Sequence, residues 1–295
     1  MSRIAFIGLG NMGTPMAGNL VAAGHGVAGH DLDGACIARA KDRGVSAAGS
    51  ARAACEGAAA VVTMLPAGRH VLAVYDDILG AVAPGTLLID SSTIDVESAR
   101  DAHARAAGAG ALSIDAPVSG GVGGAEAGTL TFMAGGTAEA FAAAEAILAP
   151  MAGRVVHCGE AGAGQAAKIC NNMLLGISMI GTAEAFNLAD ALGLSRQALF
   201  DVASTSSGRC WSLDTYCPVP GPVPTSPANH DYRPGFASEL MLKDLGLARE
   251  AADSEGAHTP LGHAAAELYG AFAAAGGEGR DFSAIIEFLR ERGRR

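Results

Sequence analysis

From Ala161 to Ala183 the chain carries a single formal charge, Lys168, set among alanines, an isoleucine and a cysteine. At helical spacing Lys168, Asn171 and Asn172 stand three and four residues apart, so one helix face would present an ammonium and two carboxamides. Such a face can grip a small oxygenated molecule. A free lysine titrates at about 10.4, and apolar surroundings disfavour its charged form and bring that value down. An amine so tuned can take the proton of an alcohol and return it in the reverse direction. The competing reading is a lysine whose stem packs while its head snorkels to water.

A second lysine, Lys243, lies in the apolar run Leu240–Ala248. Either it pairs with the adjacent Asp244 or it reaches a cofactor or a substrate carboxylate. The run Ser119-Gly120-Gly121-Val122-Gly123-Gly124 is denser in glycine than a turn requires. Successive glycine amides can form a concave anion nest, with the Ser119 hydroxyl as a further donor, and this suits a carboxylate; the alternative is a flexible connector. The sole tryptophan, Trp211, either walls an apolar pocket or simply packs. Other chemistries fit poorly. None of the four tyrosines has a lysine four residues on, and the eight histidines show no metal-ligand spacing. His157-Cys158, at a strand end, reads as core.

An amine that moves an alcohol proton needs a hydride acceptor beside it. Arg3–Ile7 reads as a short buried strand, Gly8-Leu9-Gly10-Asn11-Met12-Gly13 follows at once, and Pro15–Ala23 continues with a helical pattern. Gly8 allows the tight turn, Gly10 lets the backbone approach a pyrophosphate, and Gly13 lets the helix sit close to the strand. A second strand, Gly26–His30, ends in Asp31, 18 residues past Gly13, where a carboxylate would bind a ribose hydroxyl. That carboxylate would repel a 2′-phosphate, and the next residue is Leu32 rather than an arginine, so NAD is preferred over NADP unless Arg39 or Lys41 folds back.

Strand and helix then alternate through Ala60–Leu65, Thr86–Asp90, Ala111–Asp115, Leu130–Ala134 and Arg154–Cys158, which predicts a doubly wound, mostly parallel sheet. Ligands of such sheets lie beyond the carboxyl ends of the strands. Leu65 and Pro66 would flank the adenosine half, with His70 near them, and Thr93 would stand on the nicotinamide side; each is otherwise an ordinary loop residue. After about residue 160 the strand signals stop. Helices are predicted over 163–193, Ser195–Ser204, Phe236–Asp253, Thr259–Ala275 and Ser283–Arg292, with Ser195 and Thr259 as N-caps. The expected organisation is a dinucleotide-binding domain over 1–161 and an all-helical substrate and dimerisation domain over 162–295. The irregular stretch 205–235, with six prolines from Pro218 to Pro234, has the length of a functional loop.

A length of 295 residues suits two domains, and a formal net charge of −10 argues against a nucleic-acid partner. The six cysteines form no C-x-x-C pair, as expected for reduced thiols. No uncharged run reaches the about 20 apolar residues of a membrane span, and the opening residues lack a signal-peptide core, so a soluble, cytoplasmic protein is expected.

Together the segments Gly8–Gly13, Asp115-Ala-Pro-Val-Ser-Gly-Gly121, Gly162–Asn172 and Lys243-Asp-Leu-Gly-Leu-Ala248 resemble the β-hydroxyacid dehydrogenase family over essentially the whole chain. Within it, Ser206–Ser212 and Tyr216–Gly221 look like the 3-hydroxyisobutyrate branch rather than the tartronate semialdehyde or glyoxylate reductase branches. The resemblance implies a Rossmann-type domain, an all-α domain built on a long interdomain helix, and a homodimer or homotetramer. It further implies NAD-dependent oxidation of 3-hydroxyisobutyrate to methylmalonate semialdehyde, a step of valine breakdown. By motif match Lys168 would be the acid/base, Ser119, Gly120, Gly121 and Asn172 would hold the hydroxyacid, and Lys243 would sit beside the cofactor. L-Serine, glycerate, tartronate semialdehyde or 4-hydroxybutyrate remain alternative substrates of the same machinery. A catalytically silent dinucleotide sensor is the alternative from another class.

Overall fold

Arg3–Ile7 forms strand β1, and its side chains alternate between two cores: Ile4 and Phe6 enter one, Ala5 and Ile7 the other. That period of two, with both sets apolar, puts β1 inside a sheet covered on both faces. The remaining strands are β2 (Gly26–His30), β3 (Ser46–Ala47), β4 (Ala60–Thr63), β5 (Leu87–Asp90), β6 (Leu112–Asp115), β7 (Val118–Ser119), β8 (Leu130–Gly135) and β9 (Ala152–Gly159). The sheet order is β3-β2-β1-β4-β5-β6-β8-β7, with β9 also paired to β8. Strands β1 to β6 are mutually parallel, while β8 runs antiparallel to β6 and β7. This computed structural model describes residues 1–293, and they pack as two compact units that meet in sequence at Lys168 and Ile169.

In the first unit, helices α1 (Gly13–Ala22), α2 (Gly34–Lys41), α6 (Gly121–Ala127) and α7 (Ala138–Leu148) cover one face of the sheet. Helices α3 (Ala51–Cys55), α4 (Gly68–Ile78) and α5 (Val96–Gly108) cover the other. The expected doubly wound, mostly parallel architecture is therefore present. Strands β3 and β7 went unforeseen because two residues each carry no readable alternation. His157 and Cys158 are not core: they lie on β9, which pairs only with β8, and His157 is exposed and stacked on Phe141.

The second unit is helical: α8 (Ala163–Ala191, which begins in the first unit), α9 (Arg196–Ala203), α10 (Trp211–Asp214), α11 (Ser238–Ser254), α12 (Pro260–Phe272) and α13 (Ile285–Arg292). Its core gathers Met179, Ala183 and Phe186 from α8 with Met241, Leu245, Tyr269, Phe272 and Ile285. Ser195 caps α9 as expected, accepting the Ala198 N–H at 3.2 Å. Thr259 stands at the N-cap of α12, but its ψ of 64° lies outside the extended region that aims a capping hydroxyl, and the hydroxyl sits 3.2 Å from His263 Nδ1 instead. The irregular stretch 205–235 contains α10, and its backbone is paired partly with itself and partly with side chains: Ser226 donates to the Cys217 carbonyl, Tyr232 to Pro218, and Asn229 to Val223. No helix among the described residues is long and apolar enough to cross a membrane.

Candidate active site

The glycine turn after β1 has the shape a pyrophosphate requires. A Cβ on Gly13 would collide with the Gly8 carbonyl oxygen, so α1 approaches β1 only because that position is glycine. Gly10 faces open space, with nothing within 4 Å of where its Cβ would stand. Gly8 donates to the His30 carbonyl and Leu9 is fully buried, while Asn11 is exposed and Met12 forms the N-cap of α1 without a side-chain bond. Asp31 is tied to this turn directly: Oδ2 accepts the Leu9 N–H at 2.6 Å and Oδ1 accepts the Asp33 N–H at 2.8 Å. Each carboxylate oxygen keeps a lone pair for a ribose hydroxyl. Arg39 donates to Cys36 Sγ on its own helix, at 3.1 Å. The residues present thus fit an adenosine dinucleotide.

At the next strand ends, Leu65 N–H donates to Ser92 Oγ at 2.8 Å, which holds the half-buried Leu65 and the exposed Pro66 against the loop that carries Thr93. His70 lies in the first turn of α4, and its Nδ1 is buried with no hydrogen-bond partner. Beneath them Asp90 Oδ1 accepts three bonds, from Thr63 Oγ1 (2.7 Å), Ser92 Oγ (2.6 Å) and Ser92 N–H (3.2 Å). Asp90 and Asp115 occupy matching positions on neighbouring parallel strands. Asp115 accepts the Gly162 N–H through Oδ1 and the Gln165 N–H through Oδ2, both at 2.8 Å, and lies 2.9 Å from His103 Nε2. A carboxylate at the start of α8 satisfies donors that the helix itself cannot.

Lys168 follows one turn later and is only 6% exposed. Asn172, one further turn along, is 2% exposed and donates to the buried Asp244 of α11 at 2.5 Å. Asn171 does not share this buried face. It is exposed, as the 100° step between successive helical residues dictates, and it donates to Asn172 Oδ1 at 2.9 Å. Asn172 is thus oriented from two sides. Lys243 is half-buried on α11, next to Asp244.

The glycine-rich run expected as a nest divides between β7, which ends at the half-buried Ser119, and α6, which begins at Gly121. Gly120 and Gly121 have φ of 132° and 61°, values that a side chain would strain. The opening N–H groups of α6 have no carbonyl within the helix to bond, so the donor capacity foreseen for a loop is supplied by a helix start. Trp211 is 50% exposed and stacks on Tyr216 with ring centroids 4.8 Å apart. Tyr216 donates to Asp281 at 2.8 Å, and Asp281 also accepts N–H groups of Gly235, Phe236 and Ser283 and the Ser283 hydroxyl. Sequence reasoning missed Asp90, Asp115, Gln165 and Asp281 as supports, although Asp115 and Gln165 lie inside the two motifs it singled out. Thiol chemistry has no foothold at Cys55 or Cys217, because burial pushes them up to about 12 and about 11.

Asp90 carries a testable consequence. Its carboxyl is pushed up from 3.8 to about 6, chiefly by burial, against the Ser92 and Thr63 hydrogen bonds that favour the anion. The folded chain therefore holds this proton more tightly than the unfolded chain, so stability falls as pH rises from about 4 to about 6 and stays reduced above that window, by about 3 kcal/mol. Asp90→Asn removes the titration. Urea unfolding across this pH range should show the variant gaining on the wild type as pH rises; a difference that stays constant would contradict the assignment.

This strand order, with a glycine turn at the first strand and helices on both faces, is that of a Rossmann-type dinucleotide-binding fold. Residues 3–159 match the family described as the NAD binding domain of 6-phosphogluconate dehydrogenase, and residues 162–289 match the NAD-binding family of NADP-dependent 3-hydroxyisobutyrate dehydrogenase. The chain is 55% identical over 292 residues to a probable 3-hydroxyisobutyrate dehydrogenase of Mycobacterium bovis, with 99% of each chain covered. It is 48% identical to an NAD-dependent L-serine dehydrogenase of Pseudomonas aeruginosa, with 97% of each covered. Among solved structures, the 3-hydroxyisobutyrate dehydrogenase of Mycobacterium tuberculosis with L-serine matches at a TM-score of 0.96 and 55% identity, over 98% of this chain and 99% of that one. The chain belongs to the 3-hydroxyisobutyrate dehydrogenase family of β-hydroxyacid dehydrogenases. It is an NAD-binding oxidoreductase.

Proposed function

We propose that the protein oxidises 3-hydroxyisobutyrate to methylmalonate semialdehyde, with Lys168 taking the hydroxyl proton. The observation that carries this reading is a lysine only 6% exposed on a helix whose first turn is clamped by Asp115. The glycine turn and the Asp31 carboxylate would hold NAD, which when bound would supply the hydride acceptor. Lys168 in its uncharged form accepts the hydroxyl proton as the carbon gives up hydrogen, which leaves an aldehyde and an ammonium; in reverse the ammonium returns the proton. Ser119 and the amides of Gly120 and Gly121 bind the carboxylate. The Asn172 carboxamide, steadied by Asp244 and Asn171, keeps one N–H for a substrate oxygen. Lys243 lies beside the cofactor and Trp211 beside the substrate. The Asp31 carboxylate favours NAD over NADP.

L-Serine is the second reading, supported by the Pseudomonas relative that is an L-serine dehydrogenase and by the mycobacterial structure with L-serine. Steady-state assays of 3-hydroxyisobutyrate, L-serine, glycerate and 4-hydroxybutyrate with NAD and with NADP decide the matter. The largest kcat/KM is expected for 3-hydroxyisobutyrate with NAD. A larger value for L-serine would reassign the substrate, and NAD binding without turnover of any acid would make the protein a sensor.

A homodimer or homotetramer is part of the same proposal. In the second unit α8 leaves Leu174 and Leu188 exposed, and Leu192 and Leu194 follow just past its end. Exposed leucines on one helix and in the turn that follows it suit burial against a second copy. Leu188→Glu is expected to shift the protein to monomers in sedimentation velocity, whereas an unchanged oligomer would place the interface elsewhere.

A further inference from the structure

The Gln165 side chain is fully buried, and both ends of its carboxamide are used on one loop. Oε1 accepts the Ile94 N–H at 3.1 Å, and Nε2 donates to the Ser92 carbonyl at 2.7 Å. The two bonds straddle Thr93. Only one orientation of the amide serves both, since the flipped group would set oxygen against oxygen and N–H against N–H. The backbone N–H of the same residue donates to Asp115 Oδ2, and Ser92 in turn accepts the Leu65 N–H and donates to Asp90. One buried chain of hydrogen bonds therefore runs from the 65–66 turn through Ser92 to the helical turn that precedes Lys168.

We propose that Gln165 is a positioning residue for the oxidation: its carboxamide sets the Lys168 amine relative to the Thr93 loop, on the nicotinamide side. This rests on the reading of Lys168 as the proton relay and of Thr93 as a cofactor neighbour. Oxidation of an alcohol needs the hydroxyl proton and the carbon-bound hydrogen to leave in coordinated directions, and a misplacement of about 1 Å between such groups costs about 100-fold in rate. No titratable group is required of Gln165. Its neutrality matters, because a carboxylate three residues before Lys168 would stand on the adjacent turn and favour the ammonium.

The test compares Gln165→Leu, Gln165→Glu and Lys168→Ala in the full-length protein. The readouts are NADH binding stoichiometry, kcat and KM for the hydroxyacid, and the primary isotope effect from deuterium on the reacting carbon. Per NADH-binding site, Gln165→Leu should lose about 10- to 100-fold in kcat, with KM within about threefold and an isotope effect larger than that of the wild type. Gln165→Glu, which keeps the length and an acceptor for Ile94 but loses the donor to the Ser92 carbonyl, should show a comparable loss of kcat per site and a similarly enlarged isotope effect; it decides the matter if the leucine variant does not fold. A merely structural role would lower the number of NADH-binding sites and leave kcat per site and the isotope effect unchanged in both variants, and that result overturns the proposal. An inactive Lys168→Ala beside unaffected Gln165 variants overturns the positioning role alone. A fully active Lys168→Ala overturns the proton-relay reading and this proposal with it.

Discussion

Lys168→Ala is expected to lower kcat for the hydroxyacid by about 10²–10⁴-fold, the range that a positioned acid/base contributes, while NADH binding stays within about threefold. The fold should tolerate the change. Alanine is the best helix former, and α8 is anchored upstream by Asp115 and Gln165. Lys168→Arg sharpens the reading, because a guanidinium keeps the positive charge yet does not give up its proton below about pH 12. If charge alone mattered, arginine would restore turnover; if a proton must be exchanged, arginine should be about as inactive as alanine. Partial recovery of Lys168→Ala with added small primary amines, in proportion to their basicity, would complete the case. Unchanged turnover in the alanine variant would remove Lys168 from the mechanism.

Asp31→Ala should raise KM for NAD by about 10- to 100-fold, the effect of losing charge-assisted hydrogen bonds worth about 1.5–3 kcal/mol. Two causes are superposed in that number. The carboxylate is proposed to bind the adenosine ribose, and it also accepts the Leu9 N–H at 2.6 Å, thereby holding the glycine turn in shape. Asp31→Asn separates them, since an amide oxygen can still serve Leu9 while the charge is gone. In that variant the ratio of kcat/KM for NADP to that for NAD should rise at least about tenfold, because repulsion of a 2′-phosphate has been removed. Equal loss for the two cofactors in Asp31→Asn would mean that the side chain shapes the turn and does not touch the ribose.

Most of the fold is legible in the residues, because long-range architecture is written in short-range pattern. The run Arg3–Ile7 is apolar on both faces and is followed at once by a glycine turn, which demands a covered parallel strand leading into a helix. The nearly uncharged stretch around Lys168 likewise demands a helix with a buried face. What stays hidden is which polar residues serve each other from distant positions. Gln165 reads as a helix-former beside alanines, and nothing local says that its amide reaches a loop some 70 residues earlier in the chain. Asp90 and Asp115 read as strand ends, and their matched register appears only once the sheet is assembled. Asn171 and Asn172 look equivalent as neighbours, yet one is exposed and the other buried, because adjacent helical residues face different directions.

Asp281 ties the far end of the chain to the proline-rich stretch, since one carboxylate serves Tyr216, Gly235, Phe236 and Ser283 together. Trp211 leans on Tyr216, so the indole is moored to residues about 70 positions downstream. A shortened gene product ending before this aspartate would keep every residue proposed here to meet cofactor or substrate and still lose the brace behind its aromatic wall.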